Sequence, residues 1–378
     1  MSSANSIPSA LLQQGEWFMR ICNACRYCEG YCAVFPALER RLTFTESDLN
    51  YLANLCHHCG SCYDACQYAP PHEFALNFPK ALTEIRGATY RKYAWPGFLA
   101  GLYHRNGLAV GVIAAASLAV FLFAVYVLVG PSVVFSAHSV AAGAFYAVVS
   151  HHAMVYTFGA VSLCVVTAFA VGLMRFWRDT GEPYGALLHP TALGRAANDI
   201  LRLTNLDGGG EGCIYPEELP SLARRAFHHL TFYGFLFCFA ATTVAAIYHY
   251  VFDWPAPYAF ASAPVALGTV GGIGLLIGPM GQLWLKWKRD PVLSDPEQGG
   301  MDVGFLALLF LSSLTGLLLL LLRETPAMGL LLVAHLGAVL GLFLTMPYGK
   351  FAHAVYRSAA LVRFAIEEAR PLPKYGSD

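Results

Sequence analysis

Two cysteine runs near the start of the chain carry its most specific chemistry. The first is Cys22-x2-Cys25-x2-Cys28-x3-Cys32 and the second is Cys56-x2-Cys59-x2-Cys62-x3-Cys66, with identical spacing. Together they hold eight of the eleven cysteines. This is the spacing at which bacterial ferredoxin runs hold [4Fe–4S] clusters: three cysteines wrap one cubane and the fourth ligates the other cluster. Crossed ligand sets are therefore expected. Cluster 1 takes Cys22, Cys25, Cys28 and Cys66, and cluster 2 takes Cys56, Cys59, Cys62 and Cys32. Where ferredoxins carry a proline after the fourth cysteine, Ala33 and Gln67 stand, with Pro36 and Pro70 a few residues on. Structural zinc usually takes two separated pairs of cysteines, not four in one short run. Disulfides belong to oxidising compartments, and no apolar signal-peptide core precedes these runs. His57 and His58, inside the second run, are read as loop histidines, with cluster tuning as the alternative.

Histidines at apolar stretches form the second set of candidates. Imidazole is a common axial ligand of haem iron, and ionisable groups within apolar spans mark function. His228 and His229 open one apolar stretch and His249 closes it; His335 lies in the last one and His353 follows its end. From His335 to His353 is five helical turns, roughly 27 Å along a helix axis. Both rings then face one side if the helix continues through Gly349. Two levels of bis-histidine haem are expected: an inner level pairing His228 or His229 with His353, and an outer level pairing His249 with His335. His151 and His152 are the spare outer candidates. The competing reading is helix-end imidazoles bonded to headgroups or carbonyls.

Composition says what must position these groups. Of 378 residues 56% are hydrophobic and 13% charged, with zero formal net charge. A soluble domain carries about 25% charged residues, so the deficit points to membrane spans. Neutral charge without a basic, aromatic-interleaved patch gives no case for nucleic acid. A span needs about 20 apolar residues, and no Asp, Glu, Lys or Arg occurs between Arg105 and Arg175. Six spans are expected, near 107–129, 151–174, 228–251, 264–285, 303–322 and 328–348. The fold class expected is all-α: a helical ferredoxin-like domain, then a six-helix transmembrane bundle with b-type haem.

The organisation expected is a flexible leader 1–15, an iron–sulfur domain 16–72, an interfacial linker 73–106, a membrane domain 107–350 with a loop 175–227, and a tail 351–378. A helix should join the two cysteine runs, capped by Thr45 or Ser47 and ending near Leu55. The linker sets Lys80, Arg86, Arg91, Lys92 and Arg105 among Phe78, Trp95, Phe98 and Tyr103, which suits a headgroup zone. Basic residues concentrate in 175–225, 286–300 and 350–378, while the opposite loops hold Asp253, Arg323 and Glu324. The positive-inside rule then puts both termini and the iron–sulfur domain in the cytoplasm, at a bacterial inner membrane. The glycine run 207–212 lacks the Lys-Ser/Thr of a P-loop and reads as an ordered or docking loop, with Cys213 a free thiol. Gly272-x-Gly274-x3-Gly278 lies inside a span, where close helix packing explains it.

The chain resembles the tricarballylate (citrate) utilisation protein B family over nearly its full length. The resemblance is carried by the twin cysteine runs, by Asp207-Gly-Gly-Gly-Glu-Gly-Cys-Ile-Tyr-Pro216 and by Arg224-Arg225-Ala-Phe-His228-His229-Leu-Thr-Phe-Tyr-Gly234. His335 and Pro347-Tyr-Gly-Lys-Phe-Ala-His353 look like the haem helix of nitrate reductase gamma and heterodisulfide reductase membrane subunits. In the nitrate reductase family a second histidine lies ten residues after the first on the earlier haem helix; here Cys238 or Phe239 stands there. The resemblance implies one haem b and leaves a second open. It also implies a job. A partner flavoprotein oxidises tricarballylate to cis-aconitate, and this chain reoxidises the partner's FAD and reduces membrane quinone. Quinone is expected near the inner haem, with Tyr233, Tyr348 and Lys350 as candidate partners. The alternatives are the same electron-transfer module serving a flavoprotein of cobalamin synthesis, or a non-redox, zinc-containing membrane anchor.

Overall fold

The computed structural model describes residues 7–103, 106–138, 143–214 and 219–371. Part of the leader, Arg105, residues 215 and 216 of the glycine-rich segment and the end of the tail lie outside them. The described chain is almost entirely helical, with one short antiparallel pair, Cys213–Ile214 against Pro220–Ser221.

Three helices build the head around the cysteine runs. Ser9–Cys25 begins inside the stretch read from sequence as a leader, because Gly15, Phe18 and Met19 form its buried face. A Cβ on Gly15 would lie 2.8 Å from Ile85 Cδ1, so the helix crosses close over its neighbour. Glu46–Leu55 joins the two runs and is capped by Thr45. Its hydroxyl accepts from Asp48 N at 3.2 Å, and Asp48 Oδ2 accepts from Thr45 N at 3.1 Å. The third helix, Phe78–Tyr93, departs from the interfacial role expected of it. Ala81, Leu82, Ile85, Ala88 and Tyr90 are buried against the other two helices, and Arg86 points inward. Only beyond it does the segment open out, with Phe98 83% exposed.

Among the described residues six helices are long and apolar enough to cross a membrane: Asn106–Leu128, His151–Asp179, Ala223–Phe252, Ala263–Lys288, Pro296–Leu322 and Met328–Tyr348. They are spans one to six below. Without water to drive association, helices in lipid approach closely only where side chains are small. Spans three and four show it. A Cβ on Gly278 would sit 2.6 Å from Thr231 N, and one on Gly271 2.7 Å from Gly234 O. Gly272 faces the other way, onto Leu317 of span five. The span-four glycines are thus contact points between helices. Span six packs likewise on span one, with Gly341 against Ala114 and Gly337 against Leu118.

Span six does not run on to His353. The α-helix ends at Thr345, one 3-10 turn covers Met346–Tyr348, and Gly349 is extended before the helix Ala352–Glu368 starts. Pro347 cannot donate to the ladder, which accounts for the stop. His353 is therefore placed by this break, not by five turns of one helix.

The head, the segment between spans two and three, the link between spans four and five, and the C-terminal helix meet at one end of the bundle. Ala33 N donates to Asn205 Oδ1 at 3.1 Å, Asn77 Nδ2 to Val292 O at 2.9 Å, and Tyr93 OH to Asp179 Oδ2 at 3.0 Å. Arg41 binds Asp48 at 2.6 Å and also Glu367 of the C-terminal helix, whose carboxylate accepts from Tyr51 OH at 3.1 Å. Arg41 and Glu367 are about nine-tenths buried. Removing one partner of a buried pair leaves an uncompensated charge, at a cost of about 3–5 kcal/mol. Arg41→Ala should therefore lower the thermal unfolding midpoint and expose the C-terminal helix to protease; an unchanged midpoint would show that the pair does not join head to tail.

Candidate iron–sulfur and haem sites

Left-handed residues wind the cysteine runs into loops. Arg26 (φ 56°) ends the first helix after Cys25, and His58 (φ 57°) and Gly60 (φ 90°) turn the second run between Cys56 and Cys62. Cys22, Cys25 and Cys28 line one cavity together with Cys66, from the other run. Cys32 lines a second cavity with Cys56, Cys59 and Cys62, again across the runs, and Cys62 also borders the first cavity. Cys56 and Cys59 are buried, while the first quartet is half-buried throughout. Burial and then the neighbouring thiols push Cys28 up to about 12 and Cys22 up as well, Cys66 acting most strongly among the neighbours in each case. Such crowding disfavours thiolate until a cation neutralises it, and a coordinating metal inverts that preference. Among the described residues no three His, Cys, Asp or Glu side chains converge on a point that could hold a single metal ion. A tetrahedral zinc gathers its sulfurs at about 2.3 Å from one centre; a four-iron cubane spreads them over its corners.

The sequence reads Cys213 as a free thiol rather than a ligand. It is fully buried, packed beside Cys59 of the second quartet, and its thiol donates to Leu206 O at 4.0 Å. The neighbouring Cys213 thiol holds Cys59 down at about 5 against the opposing effect of burial. The glycine run makes this approach feasible. Gly208, Gly209, Gly210 and Gly212 all have positive φ, and Ser61 donates to Gly212 O at 3.2 Å.

Four arginines from four elements hold the Cys56–Cys59 loop. Arg86 Nη1 and Arg357 Nη2 donate to Cys56 O at 2.6 and 2.7 Å. Arg224 donates to His57 O at 2.8 Å and to His58 O at 2.6 Å. Arg289 donates to His58 O at 3.2 Å and His58 Nδ1 at 3.0 Å, while His58 Nε2 donates to Leu293 O at 2.6 Å. The sequence set Arg86 in a headgroup zone and Arg224 in a family motif, but it did not place any of the four on this loop, because their target is a set of backbone carbonyls.

Beneath this loop lies a cavity of about 290 Å³, between spans three, four and five and the start of the C-terminal helix. His57, which also borders the Cys32–Cys56–Cys59–Cys62 cavity, forms part of its wall. So do His228, His353, Phe232, Phe235, Phe305 and Phe351. The rings of His228 and His353 meet with centroids 6.2 Å apart at 84°. His353 Nδ1 donates to Lys350 O at 2.5 Å, which leaves Nε2 as its acceptor nitrogen, the arrangement of a ligating imidazole. His228 Nδ1 is buried without a partner. Lys286, Lys350 and Asp302 line the cavity too, with Asp302 bridging the two lysines at 2.8 and 2.6 Å. Two facing imidazoles among apolar walls are residues that could hold a haem, and His228 and His353 would be its ligands.

The other candidates go elsewhere. His229 packs against Tyr233 at 5.7 Å, outside the cavity lining. His249 stacks on His151 at 3.8 Å and 22°. His335 lies against span five, Nδ1 within 3.0 Å of Ser312 O and 3.3 Å of Thr315 Oγ1. The outer pair expected from spacing is thus not the contact formed; His151, a spare, takes the place beside His249. Tyr233 OH donates to Leu201 O at 2.8 Å and Tyr348 OH to Trp95 O at 3.0 Å. Of the three quinone candidates, Lys350 alone lines the cavity.

Head and bundle define a class: a multi-pass membrane protein carrying a ferredoxin-type iron–sulfur head. The model of the Citrate utilization protein B Fer4-like domain matches residues 16–92, and that of Citrate utilization protein B matches residues 102–374. The chain is 51% identical to "Citrate utilization protein B" of Escherichia coli over 356 residues, 94% of this chain and 92% of that protein. It belongs to the Citrate utilization protein B family. No solved structure matches it.

Proposed function

We propose that the protein is the membrane electron-transfer subunit that reoxidises the reduced FAD of a partner flavoprotein dehydrogenase, one acting on tricarballylate, and delivers the electrons to quinone. The reading places two [4Fe–4S] clusters in the crossed cysteine quartets and one haem b between His228 and His353. The observation that carries it is the continuity of the three cavities. The half-buried Cys22 quartet adjoins the Cys56 quartet through Cys62, and the Cys56 quartet adjoins the membrane cavity through His57.

Electrons enter at the Cys22 quartet one at a time from the two-electron donor and leave through the cavity. Two electrons and two protons convert the quinone to quinol. Lys350, Asp302 and Lys286 supply polar groups at the cavity wall for that proton uptake. The clusters and haem, once bound, supply the redox couples; the chain sets their spacing and surroundings. The positive-inside distribution supports a cytoplasmic head, since every basic segment lies at the head's end of the bundle. Tyr233 and Tyr348 act in this reading as interfacial anchors.

The test is anaerobic purification with iron, sulfide and haem quantitation, followed by stopped-flow mixing with reduced flavoprotein. About eight irons and eight acid-labile sulfides are expected. Cluster absorbance should bleach before the haem α band rises. Zinc without sulfide would establish the anchor instead, and haem reduction ahead of the clusters would reverse the order.

A further inference from the structure

We propose that the Cys32–Cys56–Cys59–Cys62 cluster is the electron sink of the pair, its reduction potential raised by arginines planted on its own loop, so that electrons run inward. This rests on the two-cluster reading above and adds a direction to it.

Cluster potentials follow net charge, hydrogen bonds to sulfur and solvent exposure. Burial by itself would disfavour the second cluster as acceptor, because reduction adds negative charge to an already anionic group. The groups buried with it reverse the sign. Arg86 is 3% exposed, and it donates to neutral oxygens: Cys56 O at 2.6 Å, Ala53 O at 3.4 Å and Thr83 Oγ1 at 3.3 Å. Arg357 likewise donates to Cys56 O at 2.7 Å and Asn54 O at 3.3 Å. Two guanidiniums therefore converge on the carbonyl of a ligand cysteine, and a carbonyl brings no net charge to offset theirs. Water screens them little there, so their attraction for an added electron is strong. A hydrogen bond acts in the same sense. His58 N donates to Cys56 Sγ at 3.4 Å.

The first quartet has different surroundings. Its loop is held by Arg26, an exposed residue donating to Asn23 O at 3.1 Å, and Gln67 Nε2 approaches Cys25 Sγ at 3.7 Å. Its cation is open to water and screened. Glu29 and Asp64 are exposed on the same two cysteine loops. Each electron given up by the donor thus reduces the first cluster, then leaves it for the second as the first is reoxidised.

The test is an EPR-monitored potentiometric titration of full-length, anaerobically prepared protein in nanodiscs. Two one-electron cluster waves are expected, the higher one missing in Cys59→Ala and the lower one missing in Cys22→Ala. Arg357→Gln should lower the higher wave by a tenfold change in its equilibrium, about 59 mV, and leave the lower wave in place. Arg357→Lys, which keeps the charge, should restore most of the shift, and Arg86→Gln should act like Arg357→Gln. Should Arg357→Gln lose the second cluster, the wild-type wave order decides. A higher wave that belongs to the Cys22 quartet, or a uniform shift of both waves, would overturn the inference while leaving the clusters standing. Material with no iron or sulfide would remove the two-cluster reading itself, and this inference with it.

Discussion

Cys66→Ala is expected to abolish the cluster of the other cysteine run, lowering iron from about eight to about four per chain. Cys66 belongs by sequence to the second run, yet it lines the first cavity with Cys22, Cys25 and Cys28. Its loss should leave the EPR signature that Cys22→Ala leaves. Cys32→Ala should instead match Cys59→Ala, since Cys32 lines the cavity of Cys56, Cys59 and Cys62. If Cys66→Ala matched Cys59→Ala, each run would serve its own cluster and the crossed assignment would fall. The effect is large because a thiolate has no substitute here. Helices reach only part of each run, Ser9–Cys25 covering Cys22 and Cys25 and Ser61–Asp64 covering Cys62, and the remaining cysteines sit on loops. A drop in the head's thermal midpoint should accompany the loss, because metal binding and folding are linked.

The second large effect is expected at His353. His353→Ala should remove haem b, read as loss of the pyridine haemochromogen and of the reduced α band. The loss should exceed the roughly 10–100-fold that removal of a second-shell partner costs. His228→Ala should do the same, because its ring is the one His353 faces. His335→Ala should keep the haem. That imidazole is committed to Ser312 O and Thr315, in a gap narrow enough that a Cβ on Gly316 would meet its Cε1 at 2.9 Å. His249→Ala should also keep it, since its neighbour is His151. A haem that survives His353→Ala but not His335→Ala would move the site to the outer half of the bundle. Added imidazole restoring the spectrum of His353→Ala would show that the cavity had kept its shape.

Family and architecture were legible along the chain. Ligand spacing in the cysteine runs is a local property, because three of every four sulfurs must reach one cubane within a single loop. Span length is local too, since it depends on an uninterrupted count of apolar residues. Thr45 was readable as a cap because its partner, Asp48, is three residues away. The glycines of span four were readable as packing points, although which neighbour each faces was not.

Tertiary structure decided everything that needed two distant segments at once. Helical arithmetic put His335 and His353 on one face, but Pro347 and Gly349 break the helix and turn His353 toward His228. Arg86 looked interfacial because its neighbours are basic and aromatic, yet it is spent on the carbonyl of Cys56. A carbonyl exists at every residue, so no residue type announces which one an arginine will find. The same holds for Cys213, whose place beside Cys59 depends on a glycine loop folding back across about 150 residues. Spacing within a segment is written in residue order; proximity between segments arises only when the bundle and head have packed.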